Sequence, residues 1–206
     1  MISIALGVLI GVIHLLGYWI YYRMSSQHKE TNPNTASWSI WAIGSIVNLL
    51  TYASMSNDWV KDILPAICSL ACIVVYVGYL RQGKFKMPGL TDILIFSLDI
   101  VATIVWLVAN SPLIGNMACQ AGTVLSYIPI IRETMKNPQS ERRSPWVLWS
   151  MAYVLDVILV IARWNQWGDV VYPATNLILC LIMAIIANRR RTPQEEGASF
   201  LILFLC

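Results

Sequence analysis

Charge is what this chain has least of. Lysine and arginine number 14 and aspartate and glutamate 11 in 206 residues, a charged fraction of 12%, which is about half that of a soluble domain. So few charges cannot cover the surface of an ordinary water-soluble globule. Histidine is scarcer still, with only His14 and His28. There is no Ser/His/Asp set, no phosphate-binding glycine loop and no cluster of metal ligands, so an enzyme is the least supported class and no cofactor or metal is expected. Cys68, Cys72, Cys119 and Cys180 lie inside apolar stretches; Cys68 and Cys72 are one helical turn apart, but no histidine or further cysteine accompanies them, and all four read as small packing residues. A retinal protein is not expected, because the last apolar stretch has no lysine for a Schiff base.

What the chain has in place of charge is hydrophobicity: 57% apolar residues and a mean hydropathy of +0.62. About 20 apolar residues cross a bilayer as a helix, and runs of that order recur seven times, at 2–22, 37–55, 62–80, 90–109, 112–132, 145–163 and 170–188. They predict an all-α membrane protein with seven transmembrane helices and no separate soluble domain. The first run has no positive n-region before it and no small-residue cleavage site. It ends in Tyr18, Trp19, Tyr21 and Tyr22, the interfacial belt of a retained helix rather than a signal peptide.

With seven spans the loops alternate sides. One side collects Arg23, Lys29, Arg81, Lys84, Lys86, Arg132, Lys136, Arg142, Arg143 and Arg189 to Arg191, and the other keeps Lys61 and Arg163. The positive-inside rule then predicts an outer N-terminus and a cytoplasmic C-terminus in the cell membrane, taken as a bacterial inner membrane. The lipid bilayer is the first expected partner. Nucleic acid is not one, because the basic residues belong to membrane loops, and self-association into a homo-oligomer is left open. The last residues, SFLILFLC, are too short to span, and terminal Cys206 fits no prenylation box.

The sequence also repeats itself. SWSIWAIGSIVNLL at 37–50 matches PWVLWSMAYVLDVI at 145–158. At one constant offset Trp38 falls on Trp146, Trp41 on Trp149, Asn48 on Asp156, Cys68 on Asn176, Pro65 on Pro173 and Cys72 on Cys180. One residue more aligns Gly17-Tyr18 with Ser126-Tyr127 and Arg23 with Arg132. Asn-Pro occurs in both intervening loops, at Asn32-Pro33 and Asn137-Pro138. Helices one to three therefore repeat as five to seven, with helix four as the unmatched linker that restores the orientation of the second unit. The expected organisation is 1–80 as a first three-helix bundle, 81–110 as loop and linker helix, 111–188 as a second bundle parallel to the first, and 189–206 as a cytoplasmic tail.

Polar residues inside the spans mark the candidate site. Trp41 and Asn48 share one face of helix two, and Trp149, Tyr153 and Asp156 one face of helix six. A charge at mid-span costs about 3 kcal/mol or more, so Asp156 should face a cavity and is a candidate for proton coupling. Its repeat partner Asn48 is expected to approach it across the central axis, joined by Asn176. The substrate-binding candidates are thus Trp41, Asn48, Trp149, Tyr153, Asp156 and Asn176, against a plainer role as interhelical polar glue. Asp99 is expected to dock the linker helix, Asp92 to lie at the interface, and His14 to be a packed residue. Pro129 inside helix five removes a backbone hydrogen bond and is a candidate hinge.

The 3+1+3 layout, with GYWIYYR, SWSIW, SYIPIIRETMKNPQSERRSPWVLW and YPATN, resembles the SWEET and PQ-loop (MtN3/saliva) superfamily of membrane transporters, most of all a bacterial SWEET-like branch. The likeness covers residues 5–190 and implies alternating access around a central site. In that superfamily asparagines on the third helix of each unit and tryptophans on the second hold substrate. Here Asn176 matches such an asparagine and Cys68 stands where its twin would be. The Pro-Gln hinge pair survives only as Pro129-Ile130. The resemblance implies a facilitator or proton-coupled carrier of a small polar metabolite such as a sugar. The PnuC vitamin-precursor transporters, which share the layout and Trp-x-x-Trp motifs, are the alternative, with a ligand-binding receptor on the same scaffold as a further class.

Overall fold

A computed structural model of the protein describes residues 1–27, 35–83 and 89–189, except for the side chains of 26, 27, 35–37, 91, 92, 95, 98, 99, 102 and 139. Expectations for His28, Lys29, Asn32-Pro33, Lys84, Lys86, Asp92, Asp99, the tail arginines 190 and 191, and Cys206 lie outside what is described. Within it there are seven α-helices and no strand: α1 Ile2–Gln27, α2 Thr35–Ser56, α3 Ile63–Arg81, α4 Leu90–Ala109, α5 Pro112–Lys136, α6 Arg143–Ala162 and α7 Val171–Ile186. Each corresponds to one apolar run of the sequence.

The helix ends have local causes. Asn57 and Asn110 adopt left-handed conformations (φ 48° and 49°) just past α2 and α4, and Gly83 (φ 67°) does so just past α3. Such residues terminate helices by turning the chain at little steric cost. Ser111 caps α5 and is followed by Pro112. Pro65, Pro145 and Pro173 all fall in first turns, where a missing N–H breaks no helical bond. Pro129 is the exception, since α5 runs unbroken through it.

Packing follows the repeat. α3 packs on both α1 and α2, and α7 on both α5 and α6. α1 lies against α6 as α2 lies against α5, and α4 packs on α5 and α2. Replacing α1, α2 and α3 by α5, α6 and α7 therefore maps each of these contacts, those of α4 apart, onto another.

Five helical segments, Ile2–Ser25, Ile63–Arg81, Pro112–Lys136, Arg143–Ala162 and Trp167–Ile186, are long and apolar enough to cross a membrane. Large aliphatic side chains face outward, including Val74, Leu70, Ile185 and Val108, while Asn48, Asn116, Gln120, Asp156 and Asn176 are buried. An apolar exterior around a polar interior is consistent with a protein embedded in lipid, where interhelical hydrogen bonds take the place of a hydrophobic driving force.

Candidate functional site

Tryptophans three residues apart sit on one helix face, and here two such pairs meet at the seam between the repeated helices. Trp38 and Trp41 on α2 stand edge to face, with centroids 5.2 Å apart at 77°. Trp146 and Trp149 on α6 do the same at 4.9 Å and 84°. Tyr18 of α1 lies 6.1 Å from Trp38 and 4.9 Å from Trp149. Its repeat partner Tyr127 lies 6.0 Å from Trp146 and 5.2 Å from Trp41. Edge-to-face and tilted arrangements at these distances suit the ring quadrupoles. The rings frame a cavity of about 80 Å³, and among the described residues no Asp, Glu, Lys or Arg lies in its wall.

Three of the four indole N–H groups bond to the protein itself, and that of Trp38 has no partner among the described residues. Trp41 donates to Ser126 Oγ at 2.8 Å, and Trp149 to the His14 carbonyl at 3.2 Å. Gly17, in the place of Ser126, lets α6 come close: a Cβ there would lie 2.5 Å from Trp149 Nε1. Tyr18 shares its hydroxyl with the thiols of Cys68 and Cys72, both at 3.2 Å, as Tyr127 does with Cys180 at 3.8 Å. Among the described residues no three of His, Cys, Asp and Glu gather as a metal site.

Trp41, Asn48, Trp149, Tyr153 and Asn176 all line this cavity, and Asp156 does not. Asn48, Asp156 and Asn176, expected to come together, share no hydrogen bond among the described residues. Asn48 Oδ1 accepts from Asn116 Nδ2 at 3.0 Å and Gln120 Nε2 at 2.6 Å, both on α5. Asn176 donates to the Tyr172 carbonyl. Asp156 is 1% exposed, and neither carboxylate oxygen has a hydrogen-bond partner among the described residues. The reason is the packing order: α2 lies along α5 and α6 along α1. By the repeat, the residues of α1 matching Asn116 and Gln120 are Gly7 and Gly11, which offer no donor side chain. Pro129 is half-buried in α5, outside the cavity wall.

Several wall residues escaped the sequence reading as site members: His14, Tyr18, Trp38, Tyr127, Trp146 and Tyr172. Tyr18, Trp38, Tyr127 and Trp146 were visible as repeat matches, which is the signal that marks them. Asn116 and Gln120, one turn apart in an apolar run, carried a signal of their own.

The connections at the two ends of the helices hold the halves together. At one end Lys61 Nζ bonds Asp169 Oδ2 at 2.6 Å, with both side chains fully buried. The two residues stand 108 apart, the repeat offset itself. The Tyr52 hydroxyl donates to the Asp169 carbonyl. Arg163 grips both oxygens of Asp58 at 2.6 and 3.0 Å. Burial pushes Asp58 up, but the Arg163 fork and the Val60 amide outweigh it and hold the carboxyl below its usual range. Asp62 is shifted the other way, upward, by burial, although Ser56 donates to it. At the opposite end Glu141, in the α5–α6 connection, accepts from the Tyr21 hydroxyl at 2.9 Å and Trp146 Nε1 at 3.1 Å. Burial pushes this carboxyl up to about 7 against those two hydrogen bonds.

The class so defined is an all-helical protein with an apolar exterior and an uncharged aromatic cavity at the seam of a structural repeat. No family model, no curated protein and no solved structure matches the chain.

Proposed function

We propose that the protein is a membrane transporter of a small polar metabolite, with seven spans arranged as two parallel three-helix units joined by α4, as in the SWEET and PQ-loop superfamily. The observation that carries this reading is the cavity's position. It lies where the two helix triplets meet, and its wall draws equivalent residues from both. Rocking one unit against the other would open such a cavity to either side in turn. The ionic ties at one end and the Glu141 contacts at the other are the groups that such rocking would break.

The basic residues support an orientation with the Glu141 end in the cytoplasm. Arg23, Arg81, Arg132, Lys136, Arg142 and Arg143 cluster there, whereas Lys61 and Arg163 at the other end are each paired with an aspartate. Asp156, buried outside the cavity wall and without a hydrogen-bond partner among the described residues, is the candidate proton carrier. Counterflow in proteoliposomes tests the whole reading: trans-stimulated uptake of a neutral solute is expected. Binding without flux would leave a receptor, and uptake that ignores both a pH gradient and Asp156→Asn would remove the proton from the mechanism.

A further inference from the structure

Sequence reading treats His14 as a packing residue, and the structure does bury it, at 1% exposure. Yet its ring lies in the cavity wall. Tyr18 and Tyr153 each meet it edge-on at 5.2 Å, and Trp149 is tilted against it at 6.2 Å. Neither imidazole nitrogen has a hydrogen-bond partner among the described residues, although the Cys68 thiol lies close beside the ring. A buried polar group left unpaired costs about 1–3 kcal/mol. Two such nitrogens on one ring facing a cavity are therefore a reason to expect a ligand there.

The rest of the wall narrows the ligand. The hydroxyls that line it are already engaged: Ser45, Thr123 and Ser126 donate to carbonyls of their own helices, and Tyr153 pairs with Tyr172 at 3.3 Å. Asn48 gives its oxygen to α5. Asn176 uses one N–H on the Tyr172 carbonyl, which leaves the other N–H and its own oxygen. Beside the Trp38 N–H, a donor only, and the one proton left over by the Tyr153–Tyr172 pair, the side chains with both a donor and an acceptor to offer are His14 and Asn176, among π faces and thiols. A hexose carries many hydroxyls and would find few partners here. A cation would find π faces but no carboxylate in the wall.

We propose that His14 and Asn176 hold a flat, uncharged heterocycle through an edge bearing an N–H beside a carbonyl, with the ring seated among the cavity's tryptophans and tyrosines. The inference rests on the transporter reading only for its release step, since binding is an equilibrium property of the cavity. A volume of about 80 Å³ suits one small ring and is far below the roughly 300–1,000 Å³ of pockets for drug-sized ligands.

The experiment is calorimetric titration of the full chain in detergent with uracil, 2-pyridone, 1,3-dimethyluracil, D-glucose and choline. Uracil and 2-pyridone should bind, and 1,3-dimethyluracil, which keeps the flat ring but has no N–H, should bind at least tenfold more weakly. His14→Phe keeps a ring in the wall and should lower uracil affinity tenfold or more, while His14→Gln, which still donates and accepts, should recover part of it. The melting temperature without ligand separates a folding defect from a lost contact. Preference for glucose or choline, equal binding of the dimethylated ring, or uracil affinity unchanged in well-folded His14→Phe would overturn the assignment. Uracil binding without counterflow would overturn transport and leave the site standing.

Discussion

Glu141 shows how one side chain can register pH. Buried beneath Tyr21 and Trp146, it keeps its proton up to about pH 7, whereas an unfolded glutamate releases it near 4.5. Between those values the folded chain binds more protons than the unfolded one, so stability falls as pH rises. The slope is at most about 1.4 kcal/mol per unit for one group. A thermal melt in detergent from pH 4.5 to 8 should therefore show a declining midpoint over that window, and Glu141→Gln should flatten it. An unchanged slope in the variant would move the effect elsewhere. Nothing in the spacing of Pro138 to Arg143 announces this burial: a glutamate beside two arginines reads as a solvated loop residue. Trp41, Trp149 and Asn176 were legible because a repeat fixes their positions. Asp156 was legible as buried but misplaced, since face and depth follow from sequence while the neighbour it meets depends on which helix packs alongside.

At the level of elements, the short connections matter as much as the helices. The seven runs foretold all seven helices, because period and length suffice for that. The pairing of α1 with α6 and of α2 with α5 was not foretold. It joins helices from different repeats, and hydropathy carries no record of which apolar face meets which. The Lys61–Asp169 pair pins that arrangement at one end. Removing one partner of a buried ion pair leaves an uncompensated charge and costs about 3–5 kcal/mol, whereas removing both with apolar replacements is often near neutral. Lys61→Met alone should lower the melting midpoint sharply, and Lys61→Met with Asp169→Leu should restore most of it. A double variant as unstable as the single one would show that Asp169 matters for something other than its charge partner.

Over the whole molecule, the cavity wall carries its own reporters. Cys68, Cys72, Cys119 and Cys180 all line it, so thiol chemistry reads access without introduced labels. In a Cys206→Ser background, a membrane-impermeant maleimide added outside right-side-out vesicles should label these thiols slowly. It should label them several-fold faster when Lys61→Met and Asp169→Leu remove the tie at that end. Equal rates would mean that this end of the molecule does not control entry. The two halves also differ in backbone bonding, because Pro129 removes one N–H from the continuous helix α5 while the matching stretch of α1, around Ile20, has no proline.

The coincidence of the ion-pair spacing with the repeat offset reaches into ancestry and assembly. Residues at one repeat position change places when α1, α2 and α3 are mapped onto α5, α6 and α7. Two identical copies of either half would therefore set lysine against lysine or aspartate against aspartate in a buried place. A pair of opposite charges at that point needs two halves that differ, and it disfavours a symmetric dimer of identical halves. The fused chain thus carries a charge code for its own complement: residues 1–110 and 111–206 made as separate polypeptides should associate with each other rather than with themselves.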